Sequence, residues 1–142
     1  MRIETLNEVN EDVIIQLNAL LAQLSESRPT IDTARLRELV SDKNLKIIVA
    51  IESGKIVGTG SLVLVDQLTT KKGSIEDVVV DEAYRGQGLG KAIMNELIAI
   101  AKESGAKKIS LTSRPTRTAA NALYPKLGFK LKETNFYELE LL

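Results

Sequence analysis

The stretch Ser74-Ile75-Glu76-Asp77-Val78-Val79-Val80-Asp81 passes through Glu82-Ala83-Tyr84 into Arg85-Gly86-Gln87-Gly88-Leu89-Gly90-Lys91. Its first part is rich in β-branched residues and reads as a strand. Its second part alternates glycine with other residues, then enters a helical pattern of Leu89, Ile93, Leu97, Ile100 and Ala101. Glycine permits close backbone approach and unusual dihedrals. The N–H groups of a helix's first turn, at the positive end of its dipole, form an anion site. A pyrophosphate is the natural guest, and Arg85 and Lys91 add positive charge. A plain glycine-rich turn before a helix is the simpler reading, but three glycines exceed what a turn requires. The two common phosphate loops fail on spacing. The dinucleotide fingerprint needs glycine where Lys91 stands, and the P-loop needs glycine at Arg85 and a hydroxyl residue at Ala92.

Working outward, Val13, Ile14, Leu17, Leu20, Leu21 and Leu24 mark one face of an amphipathic helix. Asp32 caps a second, shorter helix carrying Leu36, Leu39 and Val40. Leu45 to Ile51 and Ile56 to Val65 form a hairpin across Glu52-Ser53-Gly54-Lys55. Ser104-Gly105 ends the helix that follows the glycine loop. Lys107 to Thr112 returns as a strand. Thr116 or Thr118 caps a helix through Ala119, Ala120, Leu123 and Leu127, and Gly128 ends it. Phe129 to Leu141 alternates and reads as one or two final strands. The expected order is ααβββαβαβ, with room for one more strand. The strand–helix–strand unit predicts a parallel pair in a mixed sheet flanked by helices, an α+β fold in a single domain over 1–142.

Composition excludes several chemistries. Lysine plus arginine and aspartate plus glutamate are both 19, so no net field draws nucleic acid or an anionic membrane. Cysteine and histidine are absent, which removes Cys/His metal sites, disulfides and Ser-His-Asp machinery from this chain. No metal site is expected. A general base must be a carboxylate, an amine, a tyrosine or a relayed water. No signal-like or membrane-spanning run stands out, and a cytoplasmic location is the expectation.

The pattern Arg85, Gly88 and Gly90 resembles the signature loop of the GNAT acyltransferases. Asp77 to Asp81 looks like that family's fourth strand, and Ala122-Leu123-Tyr124-Pro125-Lys126-Leu127-Gly128-Phe129 resembles its later motif, a tyrosine-bearing helix followed by L-G-F. The similarity covers roughly Ile75 to Lys130. It implies an N-acetyltransferase that moves the acetyl group of acetyl-CoA to a primary amine. Backbone groups of Val78, Val79 and Val80 are then expected to meet the pantetheine arm. Arg85, Gly86, Gln87, Gly88, Leu89, Gly90 and Lys91 are expected to hold the pyrophosphate. Tyr124 matches the general acid for the departing thiolate, against the plainer reading of a packed tyrosine. Asn121, one turn earlier, is a candidate cofactor contact or a solvated polar residue. Arg117 stands where many relatives carry asparagine, and Pro125 is expected to bend or end the helix.

The amine arrives protonated and needs a base. Strict alternation puts Glu76 on the face of Val78 and Val80, making it the preferred candidate over Asp77. Glu138 and Glu140 are rivals. The resemblance implies an acceptor pocket lined by the first helices, their connecting loop and the last strands, where Arg28 and Arg35 suit an acidic or phosphorylated substrate or simply face solvent. Ile75-Glu76-Asp77 with the glycine loop is also similar to glucosamine-6-phosphate N-acetyltransferases, whereas Thr112 to Thr118 is not. A peptide amine is the other substrate class. A non-catalytic acetyl-CoA sensor is the alternative function, and a homodimer through the terminal strands is compatible with the resemblance.

Overall fold

The computed structural model describes residues 1–142. The chain forms two compact units, Met1–Thr112 and Ser113–Leu142. The first contains β1 (Arg2–Thr5), α1 (Glu11–Leu24), α2 (Thr33–Ser41), β2 (Leu45–Glu52), β3 (Lys55–Asp66), β4 (Lys71–Val80), a 3₁₀ turn (Glu82–Tyr84), α3 (Leu89–Glu103) and β5 (Ile109–Ser110). The second contains α4 (Thr118–Lys126). The strands make one sheet in the order β1-β2-β3-β4-β5, antiparallel through β4 and parallel between β4 and β5. This is the expected α+β class with its parallel pair.

Local chemistry explains most boundaries. Asn10 caps α1 by accepting from the Val13 N–H at 2.9 Å, and Asp32 caps α2 by accepting from Arg35 N–H at 2.8 Å. Ser53 and Gly54 both have positive φ, 51° and 78°, the pair that a two-residue type I′ hairpin requires. At the end of α3, Ala106 N–H reaches Ala101 carbonyl at 3.0 Å and Gly105 N–H reaches Lys102 carbonyl at 3.1 Å, a Schellman closure through left-handed Gly105.

Two elements depart from expectation. β1 is an added edge strand whose Ile3 pairs with Ala50. Its short sequence has too little alternation to announce it. The final strands expected over Phe129 to Leu141 do not form, and nothing after α4 has regular structure. Alternation reports that a segment suits a half-covered sheet, but a strand also needs a neighbour to complete its hydrogen bonds. Tyr137, Leu139 and Leu141 are all exposed instead.

The sheet is covered on both faces. On one, Leu17, Leu20 and Leu36 from α1 and α2 cluster with Ile47, Val49 and Val79. On the other, α3 sits directly on β3 because that strand carries glycines. A Cβ added at Gly58 would lie 2.9 Å from Ile93 Cδ1; one at Gly60 would lie 2.9 Å from Ile93 Cγ2 and 3.1 Å from Leu97 Cδ1.

Register decides where the site residues point. Thr59 pairs with Val79 and Ser61 with Glu76, so Gly60 alone faces the two residues Asp77 and Val78. This is a β-bulge, and Asp77 adopts a left-handed φ of 53° within it. Directly opposed residues share a face. Glu76 therefore lies on the face of Ser61, Thr59 and Val79, the side of α1 and α2. Val80 pairs with Gly58 on the α3 face, and Val78 Cγ2 lies 3.2 Å from the Cβ position at Gly60. The alternation that put Glu76 with Val78 and Val80 is corrected: the extra residue inverts it.

Gly60→Val should destabilise the fold by about 1–3 kcal/mol through overpacking against Ile93 and Leu97. Urea unfolding of the two proteins measures this, and equal midpoints would contradict direct seating of α3 on β3.

Candidate functional site

The site begins where β4 leaves the sheet. β5 accompanies β4 only at Gly73 and Ser74, so from Ile75 to Val80 no strand adjoins β4 on the β5 side. Such an edge can accept an extended ligand by backbone pairing. Val78 has an internal partner, and the Val80 carbonyl accepts from Arg85 Nε at 3.0 Å. Arg85 thus braces the end of the strand with its side chain.

Asp81 then turns the chain. Its N–H donates to the Val57 carbonyl at 2.8 Å, its carboxylate accepts from Ala83 N–H at 3.0 Å, and Lys55 Nζ lies 3.8 Å away. Gly86 and Gly88 follow with φ of 79° and 82°. Gly88 is the N-cap of α3 and, having no side chain, offers no cap hydrogen bond to the first turn. The space where a Cβ would stand at either glycine is open to 4 Å. A left-handed glycine feeding an uncapped helix start leaves the first-turn backbone donors facing outward between Arg85 and Lys91. These residues fit a pyrophosphate. Gln87 and Lys91 are exposed beside them, while Leu89 is buried and fastens the helix start to the core.

The carboxylates differ in surroundings. Glu76 is exposed and accepts a hydrogen bond from Ser74 Oγ at 2.7 Å, which fixes its direction. Asp77 is exposed overall, yet its carboxyl lies above its ordinary value of 3.8, first because protein shields it from water and second because the Glu76 charge adjoins it.

Within the second unit, Tyr124 is buried. Phe129 N–H donates to the Tyr124 carbonyl at 3.1 Å and Gly128 N–H to the Pro125 carbonyl at 3.1 Å, with Gly128 at φ 99°. The two aromatic rings meet edge to face, centroids 6.0 Å apart. The L-G-F sequence is therefore a Schellman closure with its usual apolar contact. Pro125 sits in the last turn of α4, which ends one residue later. The N-cap is Arg117, without a side-chain cap bond, rather than Thr116 or Thr118. Asn121 Nδ2 donates to the carbonyls of Arg114 and Arg117 at 2.8 and 2.9 Å, fastening the approach to α4. Glu138 and Glu140 lie in the exposed terminal segment.

The sequence model of the acetyltransferase (GNAT) family matches residues 14–129, most of the chain. The chain belongs to that family. Among its GNAT relatives, a glucosamine 6-phosphate N-acetyltransferase of Trypanosoma brucei brucei is 35% identical over 121 residues, covering 80% of each chain. A solved structure from Agrobacterium tumefaciens superposes with a TM-score of 0.86 at 28% identity, covering 99% of this chain and 100% of that one. The structure of glucosamine-6-phosphate N-acetyltransferase from Arabidopsis thaliana superposes with a TM-score of 0.79 at 27% identity, covering 98% and 99%. The chain is an acyltransferase by family, and GNAT acetyltransferases use acetyl-CoA as co-substrate. No helix is long and apolar enough to cross a membrane.

Sequence reading missed the bulge, because nothing in Glu76-Asp77-Val78 departs from strand composition. The one available signal was Gly60 in the facing strand, since a strand glycine often marks a bulge or close approach.

Asp77 generates a pH prediction. The folded chain binds its carboxyl proton more tightly than the unfolded chain does. Stability from this group is complete below pH 3.8 and is lost as pH rises through the folded value. Asp77→Asn keeps a residue that tolerates left-handed φ and removes the charge. The variant should be more stable than the parent at pH 7, with the gain closing below pH 3.8. Thermal unfolding across pH reports this, and a pH-independent difference would contradict the shielded carboxylate.

Proposed function

We propose that this protein transfers the acetyl group of acetyl-CoA to a primary amine by direct attack. The observation that carries the reading is the uncapped, left-handed entry to α3 beside the stretch of β4 that β5 does not accompany. Val78, Val79 and Val80 receive the pantetheine arm along that edge. Arg85 to Lys91 hold the pyrophosphate through backbone donors, with the positive charges nearby. Asn121 acts through the start of α4, which it fastens.

Acetyl-CoA supplies the activated acyl thioester. Glu76 takes a proton from the ammonium on the α1 and α2 face and frees the lone pair for attack. Ser74 holds the Glu76 carboxylate in one orientation. Asp77, with its raised proton affinity, is the adjoining rival for this step. Tyr124 supplies the proton that leaves with the CoA thiol; its phenolic O–H is a hydrogen-bond donor of the kind a departing thiolate needs. The similarity to named glucosamine 6-phosphate acetyltransferases makes an amino sugar phosphate the first acceptor to try, with Arg28 and Arg35 as phosphate partners. Peptide N-termini form the second series.

Calorimetric titration with acetyl-CoA, with ATP and NAD as controls, tests the co-substrate assignment. Gly88→Val should weaken acetyl-CoA binding at least about tenfold, because a β-branched residue strains at positive φ and blocks the amides. With an accepted amine, Glu76→Gln and Tyr124→Phe should each lower kcat by about 10²-fold or more, the usual scale for acid–base groups. A larger loss in Asp77→Asn than in Glu76→Gln would move the base to Asp77. Thiol release unchanged in Tyr124→Phe would remove the general acid.

A homodimer forms part of the same reading. Phe136, Tyr137, Leu139 and Leu141 are exposed in one short segment, an apolar row that association would cover. Light scattering should give twice the chain mass at micromolar concentration and a monomer for Leu139→Glu with Leu141→Glu. A monomeric parent would overturn this assembly.

A further inference from the structure

The polar side chains of α1 make long-range bonds to the backbone of other elements. Gln16 Oε1 accepts from Ile56 N–H at 2.7 Å, at the start of β3. Asn18 makes a two-way bond to Ile31, donating to its carbonyl at 3.1 Å and accepting from its N–H at 2.8 Å. Gln23 Oε1 accepts from Glu82 N–H at 2.9 Å, across 59 positions of sequence. One helix thus fastens a strand, the α1–α2 loop and the turn that leads into the glycine loop.

We propose that Gln23 is a positioning residue for acetyl-CoA, acting through Glu82 on the pyrophosphate loop. The inference rests on the reading that Arg85 to Lys91 receive the pyrophosphate. Glu82 opens the 3₁₀ turn that delivers the chain to Arg85 and Gly86. The remaining ties on this segment cluster at its first residue: Asp81 N–H to Val57, and the Asp81–Lys55 ion pair. Arg85 reaches back only to Val80, five residues earlier. Between Asp81 and buried Leu89, Gln23 makes the side-chain hydrogen bond that ties this turn to another element of the unit. Without it, the turn is held at its two ends, Asp81 and Leu89, and the two glycines between them have no side chains to resist motion.

The geometry fits a positioning role better than a purely structural one. Gln23 is exposed and contributes no apolar burial, so its removal leaves the core of Leu17, Leu20 and Leu36 intact. A surface hydrogen bond to backbone is worth little to global stability but restricts one loop, and preorganised donors bind an anion more tightly than mobile ones. The bond therefore acts on a ligand held by loop amides and not on one held by the β4 edge.

Gln23→Met keeps the length and removes the acceptor. Binding of acetyl-CoA and of S-acetylpantetheine, which lacks the pyrophosphate, is measured by calorimetry and by NMR titration for the weaker ligand. The expected result is a rise of about two- to fivefold in the acetyl-CoA Kd. The S-acetylpantetheine affinity stays unchanged, and the melting temperature stays within about 2 °C. Asn18→Leu, on the same helix but tied to the α1–α2 loop, leaves the acetyl-CoA Kd unchanged. Wild-type acetyl-CoA affinity in Gln23→Met overturns the proposal, and so does equal weakening of both ligands, which would mark a general loosening. If the parent protein binds no acetyl-CoA, the co-substrate reading itself fails and this inference with it.

Discussion

The bulge at Asp77 is the constraint on which the site depends. One residue of β3, Gly60, faces two of β4. In a regular ladder without the bulge, Glu76 would point with Val78 and Val80 toward α3, into the side where Ile93 and Leu97 are packed. With it, the carboxylate turns to the α1 and α2 face, while Val78 and Val80 stay on the α3 face. A bulge also sharpens the local twist. Pairing of β4 with β5 has already ended at Ser74, leaving the bulged stretch as an edge. Local strain at Asp77, left-handed without being glycine, is the expense of this arrangement, and such strain concentrates where function needs a side chain re-aimed.

The glycines divide into two physical roles. Gly58 and Gly60 serve packing: they remove side chains so that α3 can rest on the sheet. Gly86 and Gly88 serve conformation: open space surrounds them, and their positive φ is what another residue could not adopt at low cost. Close seating of α3 matters to the loop as well. Buried Leu89, Ile93 and Met94 fix the helix start against the core, so the amides at its N-terminus have a defined direction. A dipole end on a mobile helix would be a much weaker anion site.

Much of this was legible in the residues. The amphipathic faces of α1 and α3, the cap at Asp32, the Ser53-Gly54 hairpin and the α3 terminus at Ser104-Gly105 depend on local chemistry, and local chemistry is what sequence records. The loop from Arg85 to Gly90 was legible for the same reason. Gly86 and Gly88 have open space around them, so their place in the pattern reflects backbone conformation. Tyr124 drew attention through the motif around it, and Gly128-Phe129 closes its helix in the way that motif suggests. What failed were features set by partners distant in sequence. The face of Glu76 depends on Gly60, sixteen positions away, and strict alternation has no means of counting an extra residue. The strand propensity of Phe129 to Leu141 is real, but propensity does not supply a neighbour. β1 exists because Ala50 and Ile51 lie beside it, not because Arg2–Thr5 has a strong pattern.

α1 is central to the organisation of the first unit. Its apolar face, Val13, Leu17 and Leu20, was visible as periodicity and explains why the helix lies on the sheet. Its amides at Gln16, Asn18 and Gln23 explain something that periodicity cannot: why the start of β3, the loop after α1 and the turn before the glycine loop keep fixed relations to it. Burial holds the helix strongly but without direction, since apolar contact tolerates small shifts. Hydrogen bonds to single backbone N–H groups add little energy and much geometry. A transferase that aligns two substrates needs the second kind of interaction more than the first. In this chain it is supplied by uncharged side chains on the helix edge.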